Sequence, residues 1–248
     1  KTIYRLFIRS NMEFETSAEK EVWFYILISM FDHDLKEISY EAKIAGMSVG
    51  LRGLEEGLEV MFSGFSDKLP SFVKNVAAFL SGYNPSGETF TAQREKALKL
   101  FTAHQYRSAY QMSSTVLSLA LSSPQSSIEE DLKVIRDMQF ERFLELLMIY
   151  RFSAFDAEAL VIGNINGDEA INHVDMFVQV AFPEFKRQDL EFLTRSTQLR
   201  DGESSVIVDY VFDSNFAVNT YIQTGLASSP RDRALVLLID TALGHLPF

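Results

Sequence analysis

The clearest structural signals in the chain lie in one stretch, Gly57-Leu58-Glu59-Val60-Met61-Phe62-Ser63-Gly64-Phe65-Ser66-Asp67-Lys68-Leu69-Pro70. Apolar and more polar residues alternate over Leu58–Phe62, a pattern that predicts a strand with one buried and one wetter face. A helix is predicted to follow. Asp67 can cap this helix, and Pro70 falls in its first turn, where a missing N–H group costs little.

The residues before this stretch predict two strands and two helices. Thr2–Arg9 is mostly apolar and is predicted as a strand buried on both faces. A helix is predicted to start at the capping box Thr16-Ser17-Ala18-Glu19 and to bury an apolar face over Val22–Phe31. A second helix is expected to end near Gly46, and the strand Met47–Arg52 is expected to follow it.

Helices dominate the residues that follow the opening stretch. Long helical segments are predicted over Glu88–Leu121, with Ser-rich interruptions at Ser113-Ser114 and Ser122-Ser123-Pro124. Further helices are predicted over Gln139–Tyr150 and from Asp168 to about Val180, and a strand over Ala157–Ile165. Strands and helices of this kind indicate an α+β fold.

Composition excludes several classes of protein. The chain has 248 residues, 47% hydrophobic residues and a formal net charge of -11, so it is a globular chain without the basic surface that nucleic-acid binding requires. It has no cysteine, which excludes disulfides and thiolate metal sites and is compatible with the cytoplasm. No apolar run approaches the length of a membrane span. The predicted partners therefore include neither nucleic acid nor a membrane.

The two ends of the chain look alike. Strands are predicted over Val206–Phe212 and Phe216–Thr224, and a helix is predicted to start at Ser229-Pro230. At an offset of about 212 residues, Ser17 falls on Ser229, and the apolar positions of the two helices coincide. A repeat of this length predicts tandem domains, because a solenoid would repeat every 20 to 50 residues or so.

Four stretches of the chain together resemble the insulinase/pitrilysin family of zinc peptidases, in their order as well as their residues. They are Tyr40-Glu41-Ala42-Lys43-Ile44-Ala45-Gly46-Met47, the opening stretch Gly57–Pro70, Ala159-Leu160-Val161-Ile162-Gly163-Asn164, and Asn219-Thr220-Tyr221-Ile222-Gln223-Thr224-Gly225. The resemblance covers nearly the whole chain, and the opening stretch is its most specific part.

The resemblance implies four homologous α+β domains in one long protein, each an antiparallel sheet covered by helices, with two halves that close around a chamber. It implies that residues 1–184 form a third-domain-like inactive peptidase domain. Residues 185–203 would be a linker, and residues 204–248 the truncated start of a fourth domain. This region would form a chamber wall that encloses peptide substrates and contacts the N-terminal catalytic half through an acidic or polar interface.

The resemblance also implies where the chemistry lies. Family members bind zinc through His-x-x-Glu-His on a helix of the first domain, with the Glu as general base. The comparable helix here carries Val22-Trp23-Phe24-Tyr25, which is typical of packing. The fourth domain's substrate-contacting Arg and Tyr are expected beyond Phe248. No catalytic residue and no metal ligand is therefore expected in this chain, its substrate-binding residues stay unassigned, and zinc is expected in the N-terminal half.

The other candidate sites are weak. None of His33, His104, His173 and His245 has a second histidine at a helical spacing. Asp32-His33-Asp34-x-x-Glu37 is the nearest approach to a metal cluster, and we interpret it as a solvated helix end. Gly50-x-x-Gly53 and Gly163-Asn164-x-x-Gly167 are not followed by the lysine of a phosphate loop, and Ser113-Ser114 lacks the context of a serine nucleophile.

Two alternatives remain open. A non-peptidase structural relative, such as a core subunit of a respiratory complex, would share the fold, although Asp67-Lys68-Leu69-Pro70 favours the long-chain peptidases. A stand-alone helical interaction domain would be complete in itself. The fragment hypothesis instead predicts an exposed, incomplete second sheet after Arg200.

Overall fold

The computed structural model describes residues 1–54, 57–123, 125–153, 155–184, 186, 188, 195–200, 202, 205–209, 212–223 and 229–244. In chain order the elements are β1 Thr2–Ser10, α1 Ser17–Asp34, α2 Lys36–Ile44, β2 Ser48–Leu54, β3 Gly57–Gly64, α3 Leu69–Ser81, α4 Gly87–His104, α5 Ala109–Leu121, β4 Ser122–Ser123, α6 Ile128–Asp137, α7 Phe140–Phe152, β5 Phe155–Gly163, α8 Gly167–Ala181, β6 Arg195–Ser196 and α9 Pro230–Gly244. None of the helices in these ranges is long and apolar enough to cross a membrane.

The main sheet has four antiparallel strands in the order β2-β3-β1-β5. Leu6 in β1 lies opposite Val60 in β3 and Ala159 in β5. Helices α1, α3 and α8 pack on one face of this sheet; the ring of Phe62 contacts both Phe72 of α3 and Phe177 of α8. The fold is therefore α+β, as predicted, with helices covering an antiparallel sheet.

Only one face of β1 is fully buried, so the prediction of a strand buried on both faces is wrong. Tyr4, Leu6 and Ile8 are at most 2% exposed, whereas Ile3 on the opposite face is 42% exposed. The physical reason is that the described helices cover the inner face alone. Side chains that alternate along a strand consequently alternate in burial.

The core centres on Trp23, which is fully buried in α1. Its indole Nε1 donates a hydrogen bond to the carbonyl oxygen of Phe143 at 3.2 Å. Its ring contacts those of Phe143 and Tyr150 in α7 at centroid distances of 6.0 and 5.4 Å. Because its indole N–H group has a hydrogen-bond acceptor, this large aromatic side chain lies at the centre of the domain without an unpaired polar atom.

The predicted start of α1 is correct, but one contact of the capping box differs. The hydroxyl oxygen of Thr16 accepts a hydrogen bond from the backbone N–H of Glu19, as a capping residue should. The Glu19 carboxylate accepts from the backbone N–H of Glu15 and from the guanidinium of Arg142 in α7. A partner distant in sequence thus redirects a side chain that local rules assign to the cap.

Two local predictions in the helical region need correction. The interruption of the long helical segment lies between His104 and Ala109, where Ser108 caps α5, and Ser113-Ser114 lies inside that helix. Both of those serine hydroxyls donate to the carbonyl oxygen of Tyr110, so the helix tolerates them. Helix α3 is preceded by Lys68 at its N-cap position, with no side-chain hydrogen bond, in place of the predicted Asp67 cap.

The C-terminal region lacks the two strands that the sequence predicts for it. The predicted strands Val206–Phe212 and Phe216–Thr224 do not form within the described residues 205–209 and 212–223, which pair in no ladder and bend at residues 212–215. The segment is attached through Asp213, whose carboxylate accepts from the backbone N–H of Ala109 at 2.9 Å. A strand needs a neighbour for its backbone groups, and the described residues supply none here.

Helix α9 starts where the sequence predicts, with the hydroxyl oxygen of Ser229 accepting from the backbone N–H of Asp232 at 3.1 Å. Its apolar residues are exposed, Leu238 by 66% and Ile239 by 59%, whereas the matching residues of α1, Ile26 and Leu27, are fully buried. The two helices are thus similar in sequence and opposite in environment. The domain boundaries at 184 and 203 stay predictions, and most of the linker 185–203 lies outside the described residues.

Candidate functional site

Two cavities lie along the outer edge of strand β2. The first, of about 670 Å³, is bounded by Leu51–Leu54 at the end of β2 and by α1 and α4. The second, of about 730 Å³, is bounded by Met47–Val49 at the start of β2 and by α2. Both volumes fall in the range typical of ligand sites. We call the two cavities together the β2 trough, and helices α1 and α2 form its wall.

The edge of β2 is open. Among the residues that the structure describes, β2 is the outermost strand beyond β3, and none of its seven residues is buried, whereas six of the eight residues of β3 are. Every second residue of an outermost strand points its backbone N–H and C=O groups away from the sheet. The trough thus runs beside backbone groups that can accept another strand.

The wall of the first cavity is aromatic at its base and charged at its rim. The rings of Tyr25 in α1 and Phe101 in α4 meet edge to face at 5.3 Å, and Phe24 beneath them is buried. At the rim, partial burial raises the pKa of Asp32, and the positive charge of Lys96 lowers it by a smaller amount. The cavity therefore combines an apolar base with at least one carboxylate held near an ammonium group.

The described lining of the trough carries charges of both signs. It includes five cations, Lys20, Lys36, Lys43, Arg52 and Lys96, and three acids, Glu21, Asp32 and Glu37. Two further acids, Glu55 and Glu56, follow β2 directly in the sequence and lie outside the described residues.

The structure separates the residues of the predicted weak cation cluster. Asp32 faces the trough. The Asp34 carboxylate contacts Nδ1 of His33 at 2.8 Å and accepts a hydrogen bond from the hydroxyl of Tyr83 at 2.8 Å. Glu37 lies in α2 beside the second cavity. The three acids therefore serve different contacts, and they do not converge on one point.

The remaining histidines are also apart. Nδ1 of His173 lies 2.8 Å from the hydroxyl oxygen of Tyr4, and the ring of His104 packs on that of Phe101 at 5.5 Å. Burial lowers the pKa of His104, with a smaller contribution from Arg107. His245 lies outside the described residues. Among those that are described, no three His, Asp or Glu side chains are placed to hold a metal ion, and the predicted absence of a site stays a prediction.

Helix α1 does not suit a catalytic zinc ion at the positions where the resemblance would put one. Val22 and Trp23 are fully buried and Phe24 is 5% exposed, so the helix presents hydrocarbon where a zinc ion needs nitrogen or oxygen ligands. The prediction that these residues serve packing is confirmed for all three. Tyr25 is the exception, because it is partly exposed and lines the trough.

Three of the four quoted stretches meet at one end of the sheet. Gly64 of β3 faces Met47, and a Cβ atom at Gly64 would lie 2.7 Å from Cγ of Met47. At the other side of β1, a Cβ atom on Gly163 would overlap the backbone of Lys1 and Thr2. These glycines therefore allow neighbouring segments to approach closely. Their place in the family-like stretches is explained by packing, without a catalytic role.

A family model described as the middle or third domain of peptidase M16 matches residues 1–134. The chain belongs to the M16 peptidase family. The matched range contains β1 to β3, α1 to α4 and the whole β2 trough. The predicted resemblance to the insulinase/pitrilysin family and to its non-catalytic middle region is confirmed.

Relatives within the M16 family agree with this assignment. Human nardilysin is 23% identical over 227 residues, which cover 91% of this chain and 20% of that protein. Insulin-degrading enzyme-like 2 of Arabidopsis thaliana is 24% identical over 214 residues, which cover 76% of this chain and 22% of that protein. The chain thus spans about a fifth of the length of the curated relatives that it matches.

The fold agrees with a solved M16 structure. The crystal structure of pitrilysin superimposes with a TM-score of 0.62 at 20% identity, covering 72% of this chain and 19% of that one. At this identity the likeness concerns the fold alone.

No local sequence pattern predicts the β2 trough. A trough between an edge strand and two helices depends on which strand lies outermost, and strand order is not encoded locally. The signal that was present is Gly50 and Gly53 within β2, because glycine inside a strand often marks a place where another backbone approaches closely.

Proposed function

We propose that the chain is the non-catalytic middle region of a longer M16 zinc metalloendopeptidase, which we call the parent protein. In this proposal the parent degrades peptides inside a closed chamber, and the present region forms part of the chamber wall. The observation that carries the proposal is the match of residues 1–134 to the third-domain model. The names of the relatives, nardilysin and insulin-degrading enzyme-like, support a parent that is a peptidase.

The interior of α1 supports placing the chemistry elsewhere in the parent. The helix that would carry a zinc motif in a catalytic copy of this fold carries Val22, Trp23 and Phe24, all of them buried. Zinc bound by the N-terminal half of the parent would polarise the peptide carbonyl and activate water there. The residues of this chain would enclose and orient peptides without touching the scissile bond.

The outer face of the sheet is the surface that we assign to contact with the catalytic half. At one end of this face Ile3, Leu160 and Ile162 are 42 to 58% exposed. Beside them, Nε of Arg5, which lies opposite Leu160, donates to the Glu59 carboxylate at 2.7 Å, and the carboxylate is nearly buried although it lies on the face predicted to be wetter. An apolar area beside a satisfied ion pair is typical of an interface between domains.

Peptide hydrolysis by the full-length parent tests this proposal. We expect the parent to cleave a quenched fluorescent peptide, to lose the activity with a chelator and to regain it with zinc. Residues 1–248 alone serve as the control and are expected to be inactive. A parent that binds no zinc and cleaves no peptide would instead indicate a structural relative without peptidase activity, and cleavage by residues 1–248 alone would contradict the placement of the chemistry.

A further inference from the structure

We propose that Asn166-Gly167, where helix α8 begins, is a site of spontaneous covalent modification, at which the asparagine is converted to aspartate and isoaspartate through a cyclic imide. The site is independent of the proposed function, because the reaction needs neither an enzyme nor a partner protein. Water is the only co-reactant, and ammonia is the only group that leaves.

The sequence singles out this dipeptide. Among the asparagines of the chain, Asn166 alone is followed by glycine. The ring forms when the backbone nitrogen of the next residue attacks the side-chain carbonyl carbon, and a side chain on that next residue hinders the approach. Glycine has no such side chain. Asn84, in contrast, precedes Pro85, whose nitrogen carries no hydrogen.

The surroundings of the dipeptide leave room for ring closure. Asn166 and Gly167 are both exposed, and a Cβ atom built on Gly167 meets nothing within 4 Å. Gly167 is the first residue of α8, and the N–H group of a first residue has no acceptor within its own helix. The attacking nitrogen is therefore uncrowded and is not held by the hydrogen bonds of the helix.

The start of the helix favours the movement of electrons in the reaction. Oδ1 of Asn166 accepts a hydrogen bond from the backbone N–H of Glu169 at 2.9 Å. Negative charge develops on this oxygen when the Gly167 nitrogen attacks Cγ, so the hydrogen bond stabilises the intermediate. The positive end of the α8 dipole also favours loss of the amide proton from Gly167.

Each step of the reaction is balanced. The Gly167 nitrogen loses its proton to solvent and bonds to Cγ of Asn166, while the bond from Cγ to Nδ2 breaks and ammonia leaves. Water then opens the ring at one of its two carbonyl carbons. Addition at Cγ gives aspartate. Addition at the backbone carbonyl carbon gives isoaspartate, whose main chain runs through the former side chain.

The fold sets the rate of ring closure. The backbone of Asn166 is extended, with φ -85° and ψ 168°, so Cγ reaches the Gly167 nitrogen only after rotation about ψ. This rotation opens the first turn of α8, and helix ends open at a low cost in free energy. The native structure therefore slows the reaction relative to the unfolded chain without preventing it.

The two products affect α8 differently. Aspartate keeps the length of the main chain, and its carboxylate accepts the same hydrogen bond from the N–H of Glu169. Isoaspartate lengthens the main chain by one carbon and moves the capping group out of place. The turn that follows carries His173, whose Nδ1 lies 2.8 Å from the hydroxyl oxygen of Tyr4 in β1. Isoaspartate is therefore expected to loosen α8 where it meets the sheet.

The first test is peptide-mapping mass spectrometry of the full-length parent protein, incubated without denaturant at mildly alkaline pH. The peptide that contains Asn166 is expected to exchange an amide NH2 for OH at least several-fold faster than the peptides that contain Asn11 or Asn215. These two asparagines are also exposed, but larger residues follow them. Conversion of Asn166 no faster than theirs, or conversion in denaturant alone, would overturn the proposal.

Gly167→Ala is the matched variant, because the space around Gly167 admits a methyl group without a change in the fold. It is expected to slow the conversion of Asn166 at least several-fold, and an unchanged rate would exclude attack by this nitrogen. In the unmodified sequence the rate should rise with pH, because the attacking nitrogen must lose its proton. A rate that falls from neutral to alkaline pH would contradict the mechanism.

The second test measures the effect on α8. Aged parent protein enriched in isoaspartate is compared with Asn166→Asp, which adds the same charge without the extra main-chain carbon. Amide hydrogen exchange over residues 167–173 is expected to be several-fold faster in the isoaspartate form, while exchange in α6 stays unchanged. Equal exchange over residues 167–173 in the two proteins would overturn the predicted loosening of α8.

Discussion

Arg142 of α7 contacts Glu19 of α1 through two hydrogen bonds: Nε donates to Oε1 at 2.9 Å and Nη2 donates to Oε2 at 3.2 Å. The same guanidinium also contacts Glu15 and Glu145. Glu19 is only 8% exposed, so its carboxylate depends on this partner. The contact joins two helices that are more than a hundred residues apart in sequence.

Arg142→Gln is expected to lower the free energy of unfolding by about 1–3 kcal/mol, because it leaves the Glu19 carboxylate buried with fewer donors. Chemical denaturation measures the change. The matched control is Arg136→Gln, at an exposed arginine of α6, which should stay within about 0.5 kcal/mol of the wild type. A loss that persists at full size in the Glu19→Gln background would show that the pair is not its cause.

Asp131 gives the fold a pH dependence. It is 4% exposed, and burial raises the pKa of its carboxyl to about 6, while a hydrogen bond from the Ser126 hydroxyl opposes the rise. The pKa of the Asp131 carboxyl is higher in the folded than in the unfolded protein. The contribution of this group to the free energy of unfolding is therefore complete below pH 3.8 or so and is lost as the pH rises through about 6.

Asp131→Asn should therefore be more stable than the wild type at pH 7, by about 1–3 kcal/mol, and should have a flatter stability profile between about pH 4 and 6. Denaturation at a series of pH values measures both effects. Glu141→Gln, at an exposed acid of α7, is the control and should leave the profile unchanged. A variant as pH-sensitive as the wild type would mean that another group is responsible.

Gly163 is required by the close approach of β5 to the start of β1. It has a φ angle of +142°, and a Cβ atom there would lie 2.6 Å from Cα of Thr2. Gly163→Ala is expected to lose about 1–3 kcal/mol of stability. Gly50→Ala in β2 is the control, because a Cβ atom at Gly50 meets nothing within 4 Å. Thermal unfolding compares them, and equal midpoints would refute the steric explanation.

The loss of stability caused by truncating Leu238 in helix α9 should differ between residues 1–248 alone and the full-length parent. Leu238 is 66% exposed, while its counterpart Ile26 is fully buried. In residues 1–248 alone, Leu238→Ala should change stability by less than about 0.5 kcal/mol. In the full-length parent it should cost about 2–5 kcal/mol, because a complete second unit would bury this side chain. Ile26→Ala should be costly in both lengths.

Calorimetry of the two lengths measures these effects. An equal effect of Leu238→Ala in both would contradict the assignment of residues 204–248 to a second, homologous domain.

Local sequence signals predicted where most helices and strands lie. The features that they did not predict depend on residues that are distant in the sequence. Thr16 and Ser229 each cap a helix where the sequence placed one, because a capping hydroxyl needs only a backbone N–H group three residues away. The burial of Glu59 depends on Arg5, 54 residues distant. The alternation of apolar and polar residues along a strand does not predict such a partner. The β2 trough depends on strand order, which local pattern does not encode.

The predicted strands Val206–Phe212 and Phe216–Thr224 fail for a related reason. Their β-branched and aromatic residues have strand propensity, but a strand forms only when a neighbour accepts its backbone hydrogen bonds. In the described part of this segment, Val206 is 88% exposed and Phe216 is 92% exposed. Both side chains thus lack the cover that a paired strand in a sheet would have.

Elemental analysis of the zinc content per chain, on the full-length parent and on residues 1–248 prepared in parallel, decides whether the metal lies outside this region. We expect about one zinc ion in the parent and none in residues 1–248. Zinc bound by residues 1–248 alone, or none in either protein, would contradict it.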